Sequence, residues 1–166
     1  MTDYQNLFIE PLNNTHNRSG FQCGVPSLDN YLKKQAKQDL KRRISRVFIA
    51  VTTESPATVV GYYTLSILSI ELNRLPEEVA RKLPRYPIPA ALIGRLAVSQ
   101  RAQGSGVGKM LLMDAIKRTL SVSNEIAIYA MVVDAIDEQA ERFYQQFGFL
   151  SLRVQNRRLF LPLKSF

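Results

Sequence analysis

The sequence predicts an α/β fold, a mixed central sheet flanked by helices, on three observations. RVFIAV (Arg46 to Val51) and TVVGYYTLSI (Thr58 to Ile67) are dense in β-branched and aromatic residues and are separated by the turn-prone TESPA, so they predict an antiparallel pair. ALIGRLAV (Ala91 to Val98) is an apolar run broken only by Gly94 and Arg95, the pattern of a strand covered on both faces. EIAIYAMVV (Glu125 to Val133) is a second buried strand beyond one helical stretch, and strand, helix, strand implies parallel pairing. A chain of 166 residues supplies one domain, 1–166, with a full core.

The other elements follow from local pattern. VPSLDNYLKKQAKQDLKRR predicts a helix capped by Ser27, because Leu28, Tyr31, Leu32, Ala36 and Leu40 recur at three- and four-residue spacings. Lys33, Lys34, Lys37 and Lys41 then share the opposite side of the wheel. A short helix is expected over Pro76 to Leu83, and LPRYPIP, with its prolines, forces an extended linker. After the glycine-rich QRAQGSGVGKM, Leu111, Leu112, Ala115 and Ile116 mark the buried face of a helix. DEQAERFYQQFGF predicts another, capped by Asp137, with Ala140, Phe143 and Phe147 on one face, Tyr144 at its border, and Gly148 ending it. LSLRV and RRLFLPL, joined near Gln155 and Asn156, form a terminal hairpin.

Composition narrows the function. There are 22 Lys plus Arg against 14 Asp plus Glu, a net charge of +8, which favours polyanionic partners without specifying a reaction. A single cysteine, Cys23, excludes an internal disulfide, and one histidine, His16, leaves too few soft ligands for a structural zinc, so no metal is expected. Cys23 reads as a small buried hydrophobe and His16, in the polar NNTHNRSG, as an exposed loop residue. With no apolar window long enough to span a bilayer and no signal-like amino terminus, the expected location is cytoplasmic, away from membranes.

The loop from Gln100 to Leu112 is built for phosphate. It fails the ATP-binding pattern, which needs glycine where Gln103 stands and a hydroxyl where Met110 stands. It fails the dinucleotide fingerprint too, whose third glycine falls on Lys109. What remains is Q-x-x-G-x-G, spelled by Gln103, Gly106 and Gly108 between a buried strand and a helix start. With ALIGRLAV before it, IAIYAMVV after the helix, and then Phe143, Tyr144, Gly148 and Phe149, the chain resembles the GCN5-related N-acetyltransferase (GNAT) superfamily over about two thirds of its length. That resemblance implies a splayed parallel strand pair with acetyl-CoA as cosubstrate. Its pyrophosphate would rest on the amides of Gln103, Gly104, Ser105, Gly106, Val107, Gly108 and Lys109, with Leu96, Ala97, Val98 and Phe143 along the rest of the cofactor.

Acetyl transfer needs a neutral amine, an oxyanion donor and a proton for the departing thiolate, and Tyr144 is the candidate for the last. A phenol near pKa ~10 is a weaker acid than a thiol near ~8.5, so the site has to lower the phenol or stabilise its anion. ALIGRLAV carries no carboxylate base. Without one, a lysine side chain near ~10.4 is a poor acceptor, whereas an α-amine near ~7.7 to 8.0, lowered further by an adjacent ester, is a good one.

FQCGVPSLDNYLKKQAKQDLKRR, VVGYYTLSI and LPRYPIPAALIGRLAVS extend the resemblance to nearly the whole chain: they are similar to the GNAT toxins of type II toxin–antitoxin modules. The resemblance implies acetylation of the α-amine of aminoacyl-tRNA, a block of translation, and neutralisation by a ribbon-helix-helix antitoxin. Homodimerisation is left open. It gives the lysine face a candidate role in binding tRNA, with Arg95 as a contact to its phosphate or terminal adenosine; a solvated face and a structural ion pair are the plainer alternatives. The rival readings are a GNAT enzyme for a small amine or a protein N-terminus, and a basic nucleic-acid-binding module whose glycine loop only turns the chain.

Overall fold

The computed structural model describes residues 4–85, 87–153 and 157–166. In chain order the elements are β1 (Leu7–Pro11), α1 (Pro26–Asn30), a π-turn (Tyr31–Gln35), α2 (Ala36–Lys41), β2 (Arg46–Thr52), β3 (Gly61–Ile70), α3 (Glu77–Ala80), β4 (Ile88–Val98), α4 (Val107–Val122), β5 (Ala130–Asp134), α5 (Glu138–Gln145), β6 (Leu150–Ser151) and β7 (Arg158–Pro162). The strands form a seven-stranded mixed sheet in the order β1-β2-β3-β4-β5-β7-β6. The chain divides into two compact units: residues up to Ser66 with Arg95–Lys117, and Ile67–Gly94 with Arg118–Phe166.

In the first unit the expected β2–β3 pair is antiparallel, with Arg46 opposite Leu65. An edge strand, β1, joins it with Leu7 opposite Thr52, although the amino-terminal stretch carries no strand signal strong enough to predict it. Phe21, Leu28, Leu32, Val47, Ile49, Val51 and Tyr62 form its core. Leu28, Tyr31, Leu32 and Ala36 are buried as the spacing predicts, and Leu40 is half-buried. Ser27 is not the cap: Val25 takes that position, Pro26 opens the helix and no side chain caps it. The nearby carboxylate of Asp29 instead accepts the amide of Cys23 at 2.8 Å.

The helix is also not continuous. At the π-turn the amide of Ala36 reaches back to the Tyr31 carbonyl, one residue further than an α-helix allows. The guanidinium of Arg18 donates to the carbonyls of Leu32 at 3.3 Å and Lys33 at 3.2 Å, supplying donors where the widened ladder is weakest. His16 departs from its expected place as well: it is only 5% exposed. Its Nδ1 accepts from the Asn13 amide at 3.1 Å, so Nε2 carries the proton toward Glu10 Oε1 at 2.7 Å. Cys23 is buried, and burial, with Asp29 beside it, pushes its thiol up to about 11.

In the second unit β4 and β5 run parallel, and their register covers Ala90↔Ala130 to Ile93↔Val133 while β4 itself continues to Val98. β7 pairs antiparallel with both β5 and β6. Ile70, Leu75, Ile88, Ala90, Val132 and Phe160 lie in its core. The expected strand over Glu125 to Val133 begins only at Ala130. Ile126 is 67% exposed, and its amide bonds to the Val122 carbonyl in the turn that ends α4, so the chain joins its neighbours only at Tyr129, whose amide bonds to the Pro89 carbonyl and whose carbonyl accepts from the Leu163 amide. The short helix expected over Pro76 to Leu83 contracts to α3, with Pro76 as its cap. The terminal hairpin is present as β6 and β7, and Gln155 and Asn156 lie outside the described residues.

Asp137 caps α5 as expected, accepting the Ala140 amide at 2.8 Å. Gly148, at φ +93°, ends it, with the Phe149 amide on the Tyr144 carbonyl and the Gly148 amide on the Gln145 carbonyl. No helix among the described residues is long and apolar enough to cross a membrane.

Candidate active site

In the first unit, the end of β4 leads through a short 3-10 turn (Gln100–Ala102) into the glycine loop and then α4. Leu96 and Val98 are half-buried and Ala97 is buried. Gly104 and Gly106 hold φ values of +80° and +85°, the left-handed region that a side chain disfavours, and a Cβ on either would meet nothing within 4 Å. The loop is therefore glycine for its backbone conformation, and the space above it is open. Gly108 sits one residue inside α4, where the first-turn amides of Val107, Gly108 and Lys109 have no carbonyl one turn back to bind. Such a helix start, with Ser105 and Lys109 exposed beside it, turns unpaired amides and the positive end of the helix dipole toward any anion placed there.

Gln103 serves the loop rather than its contents. Its side-chain amide donates to the carbonyls of Cys23 at 2.8 Å and Val98 at 3.0 Å, tying the loop to the chain ahead of α1. The Gln100 amide adds a bond to the Gln22 carbonyl at 2.9 Å. From β3, the Tyr63 hydroxyl reaches Asp114 on α4 at 2.5 Å and fixes the helix against the strand.

The lysines divide. Lys34, Lys37 and Lys41 are exposed, and Lys33 is half-buried within the π-turn. Among the described residues Arg95 has no carboxylate partner of the kind that its plainer role would need. Its guanidinium lies 3.6 Å over the ring of Tyr31, and its amide binds Thr64 Oγ1 at 3.1 Å. Sequence reasoning missed Tyr31 as part of this site, because its helical spacing explains it fully as a core residue.

In the second unit, Tyr144 is the buried residue of α5, 4% exposed, while Ala140, Phe143 and Phe147 are half-buried. The expected stripe is thus rotated by one residue. Rings at 5.2 Å (Phe143) and 5.6 Å (Phe149) meet Tyr144 edge to face, and packing between them sets the phase of so short a helix. Burial, and then the charge of Asp134, raise the Tyr144 phenol above its ordinary value. The lowered phenol that the chemistry seemed to require is not found; Tyr144 keeps its proton throughout the physiological range. Asp134 is itself held by Arg158 in a two-pronged bond of 2.6 and 2.9 Å.

Comparison with known proteins follows the same lines. Residues 12–149 match the acetyltransferase (GNAT) family. A probable toxin TacT of Sinorhizobium fredii (strain NBRC 101917 / NGR234) is 35% identical, over 93% of this chain and 90% of its own. A tRNA-acetylating toxin of Mycobacterium tuberculosis (strain ATCC 25618 / H37Rv) is 38% identical, over 79% and 76%. Among solved structures, AtaT complexed with acetyl-methionyl-tRNAfMet superposes with a TM-score of 0.89 at 31% identity, covering 96% of each chain. AtaTR bound with AcCoA gives 0.85 at 32%, over 96% of this chain and 95% of that one. An AtaT mutant bound to the C-terminus of the antitoxin AtaR gives 0.83 at 29%, over 97% and 96%. With the family pattern matched from before α1 to the end of α5, this chain belongs to the acetyltransferase (GNAT) family.

Proposed function

We propose that this protein transfers the acetyl group of acetyl-CoA to the α-amine of aminoacyl-tRNA and so blocks translation, and that an antitoxin of the ribbon-helix-helix type neutralises it. The observation that carries the reading is the open Gly104–Gly106 loop at the start of α4, whose left-handed backbone leaves its amides and the space above them free for a pyrophosphate. The main chain of Leu96, Ala97 and Val98 lines the acetyl and pantetheine portions, with amides of the loop from Gln103 to Lys109 on the phosphates and Phe143 against the cofactor. Gln103 contributes through its main chain, since its side chain braces the loop.

In the reaction the acceptor nitrogen bonds to the thioester carbon, the carbon–sulfur bond breaks, and the nitrogen loses a proton while the sulfur gains one. Tyr144 is the proton carrier. Because its phenol is raised, it does not remain as an anion: it donates to the departing sulfur and is resupplied by the proton the nitrogen sheds. An α-amine next to an ester is neutral at pH 7 without a carboxylate base, which suits a β4 that carries none. The exposed Lys34, Lys37 and Lys41, with Lys33, supply the field for tRNA. The relatives named tRNA-acetylating toxin and AtaT in complex with an acetylated aminoacyl-tRNA support the choice of acceptor.

The test is transfer of labelled acetyl from acetyl-CoA to a bulk pool of charged tRNA, with deacylated tRNA, free amino acids and an N-terminal peptide as controls. Label on charged tRNA alone is expected. Label on the amino acids or the peptide, with none on charged tRNA, would replace the proposal with the small-amine or protein-N-terminus activity.

A further inference from the structure

The most unusual local geometry in the first unit surrounds Arg95, and the pyrophosphate seat does not account for it. Arg95 projects from β4 immediately after Gly94 and is only half-buried. One face of its guanidinium is covered by Tyr31 at 3.6 Å, and among the described residues no carboxylate or carbonyl accepts from its N–H groups. A guanidinium covered on one face but free at its edges keeps its in-plane forks for an anion and has lost part of its water.

Tyr31 is itself held at its hydroxyl and at its ring. Its hydroxyl donates to Asp39 Oδ2 at 2.8 Å, and the other oxygen of that buried carboxylate accepts from Gln35 at 2.9 Å. Its ring is stacked on Tyr62 at 6.3 Å, and Tyr62 in turn donates to the Leu28 carbonyl at 2.6 Å. Burial and the bond to Asp39 push the Tyr31 phenol up to about 12 against the opposing pull of Arg95, so the ring is a neutral donor. A phenol hydrogen-bonded to a carboxylate is richer in π-electron density and a better platform for a cation. Tyr31 and Gln35 bound the π-turn, and both bond to the carboxylate of Asp39 in the helix that follows.

We infer that Tyr31, braced by Asp39 and Gln35, is a positioning residue that presents the Arg95 guanidinium to a phosphodiester at the 3′ end of the acceptor RNA. The inference rests on the proposed aminoacyl-tRNA acceptor and names how the acceptor end is held. The platform fixes a guanidinium that would otherwise sample many rotamers, so less freedom is lost when the phosphate arrives.

The test compares Tyr31→Leu, Tyr31→Phe, Arg95→Met and the double variant Tyr31→Leu/Arg95→Met in steady-state acetylation of charged tRNA. Tyr31→Leu and Arg95→Met should each raise KM for charged tRNA about tenfold while leaving kcat and the KM for acetyl-CoA near wild type. Tyr31→Phe, which keeps the ring, should restore most of the affinity, and the double variant should be no worse than Arg95→Met alone. An unchanged acceptor KM in Tyr31→Leu, or losses that multiply in the double variant, overturn the inference.

Because Tyr31→Leu strands Asp39 and is at risk of misfolding, the wild-type protein supplies a second reading. The Arg95 Nε–Hε resonance, assigned by its loss in Arg95→Met, should move on titration with a short RNA hairpin bearing a tRNA 3′ end and stay still with the same hairpin lacking that end. A resonance that responds to neither hairpin overturns it. Failure of the wild type to acetylate charged tRNA is a separate result: it removes the acceptor, whereas the resonance reads the Arg95 contact directly.

Discussion

Gly61 gives the sharpest test of how the cofactor strand is held. It opens β3 with ordinary backbone geometry, so the reason for glycine is space: a Cβ would stand 2.8 Å from the Ala97 carbonyl oxygen and 2.9 Å from Leu111 Cδ1. Carbon–oxygen contacts do not close below about 3.3 Å, so Gly61→Ala must push the Ala97 carbonyl back by about 0.5 Å. Leu111 is fully buried, so its side chain cannot escape toward solvent. Overpacking of this kind costs about 1–3 kcal/mol, offset by a few tenths to about 1 kcal/mol from the lower entropy of the unfolded chain. At about 2–4 °C per kcal/mol, the net cost should lower the melting temperature by up to about 10 °C. Ala97 is also main chain proposed to line the acetyl group, and displacement of a positioning group by a fraction of an ångström should lower kcat/KM for acetyl-CoA about tenfold. Circular dichroism melts and thiol release from acetyl-CoA read the two effects. Wild-type stability together with wild-type kcat/KM would refute the reasoning, since it would mean that strand and helix separate freely.

Three further outcomes are expected. Tyr144→Phe should lower turnover by about 10²–10⁴ with acetyl-CoA affinity and melting temperature retained; wild-type turnover would move the proton to another group. Changing Lys33, Lys34, Lys37 and Lys41 to Ala should weaken binding of tRNA and flatten its dependence on log salt by up to about 3 units, and an unchanged slope in filter binding would return the lysines to solvent. Cys23, with its thiol pushed up from 9.0 to about 11, should hold about 100-fold less thiolate than a free cysteine at pH 8; alkylation of the native protein at the rate of the unfolded chain would show that the site is open.

Much of the fold was legible because its signals are local. The β-branched runs of β2 and β3, the buried stripe of α4, the Asp137 cap and the Gly148 stop all depend on residues within a few positions of one another. What was not legible depends on distant partners. β1 exists because β2 offers an edge, and its own residues alternate weakly. His16 is buried because Glu10, on that unpredicted strand, accepts a hydrogen bond from its Nε2. The residues from Glu125 to Ile128 have strand composition, but the turn that ends α4 holds the Ile126 amide on Val122, so composition alone misled about where β5 begins. In the site, the glycine pattern placed the loop correctly, but the side-chain bonds of Gln103 and the platform under Arg95 join residues far apart in sequence. The burial of Tyr144 rather than its neighbours is a one-residue shift of phase in a helix too short for its periodicity to fix.

The widened turn at Tyr31–Gln35 changes what the lysines downstream mean. Each residue of an α-helix advances the next side chain by about 100°, so a relative with one residue fewer in this turn would carry the counterparts of Lys37 and Lys41 on a different side of the molecule. Counting basic residues along aligned helices therefore compares composition, not direction. The length of the turn therefore sets the direction in which the downstream lysines point, although its ordinary helix-forming residues, YLKKQ, do not reveal it.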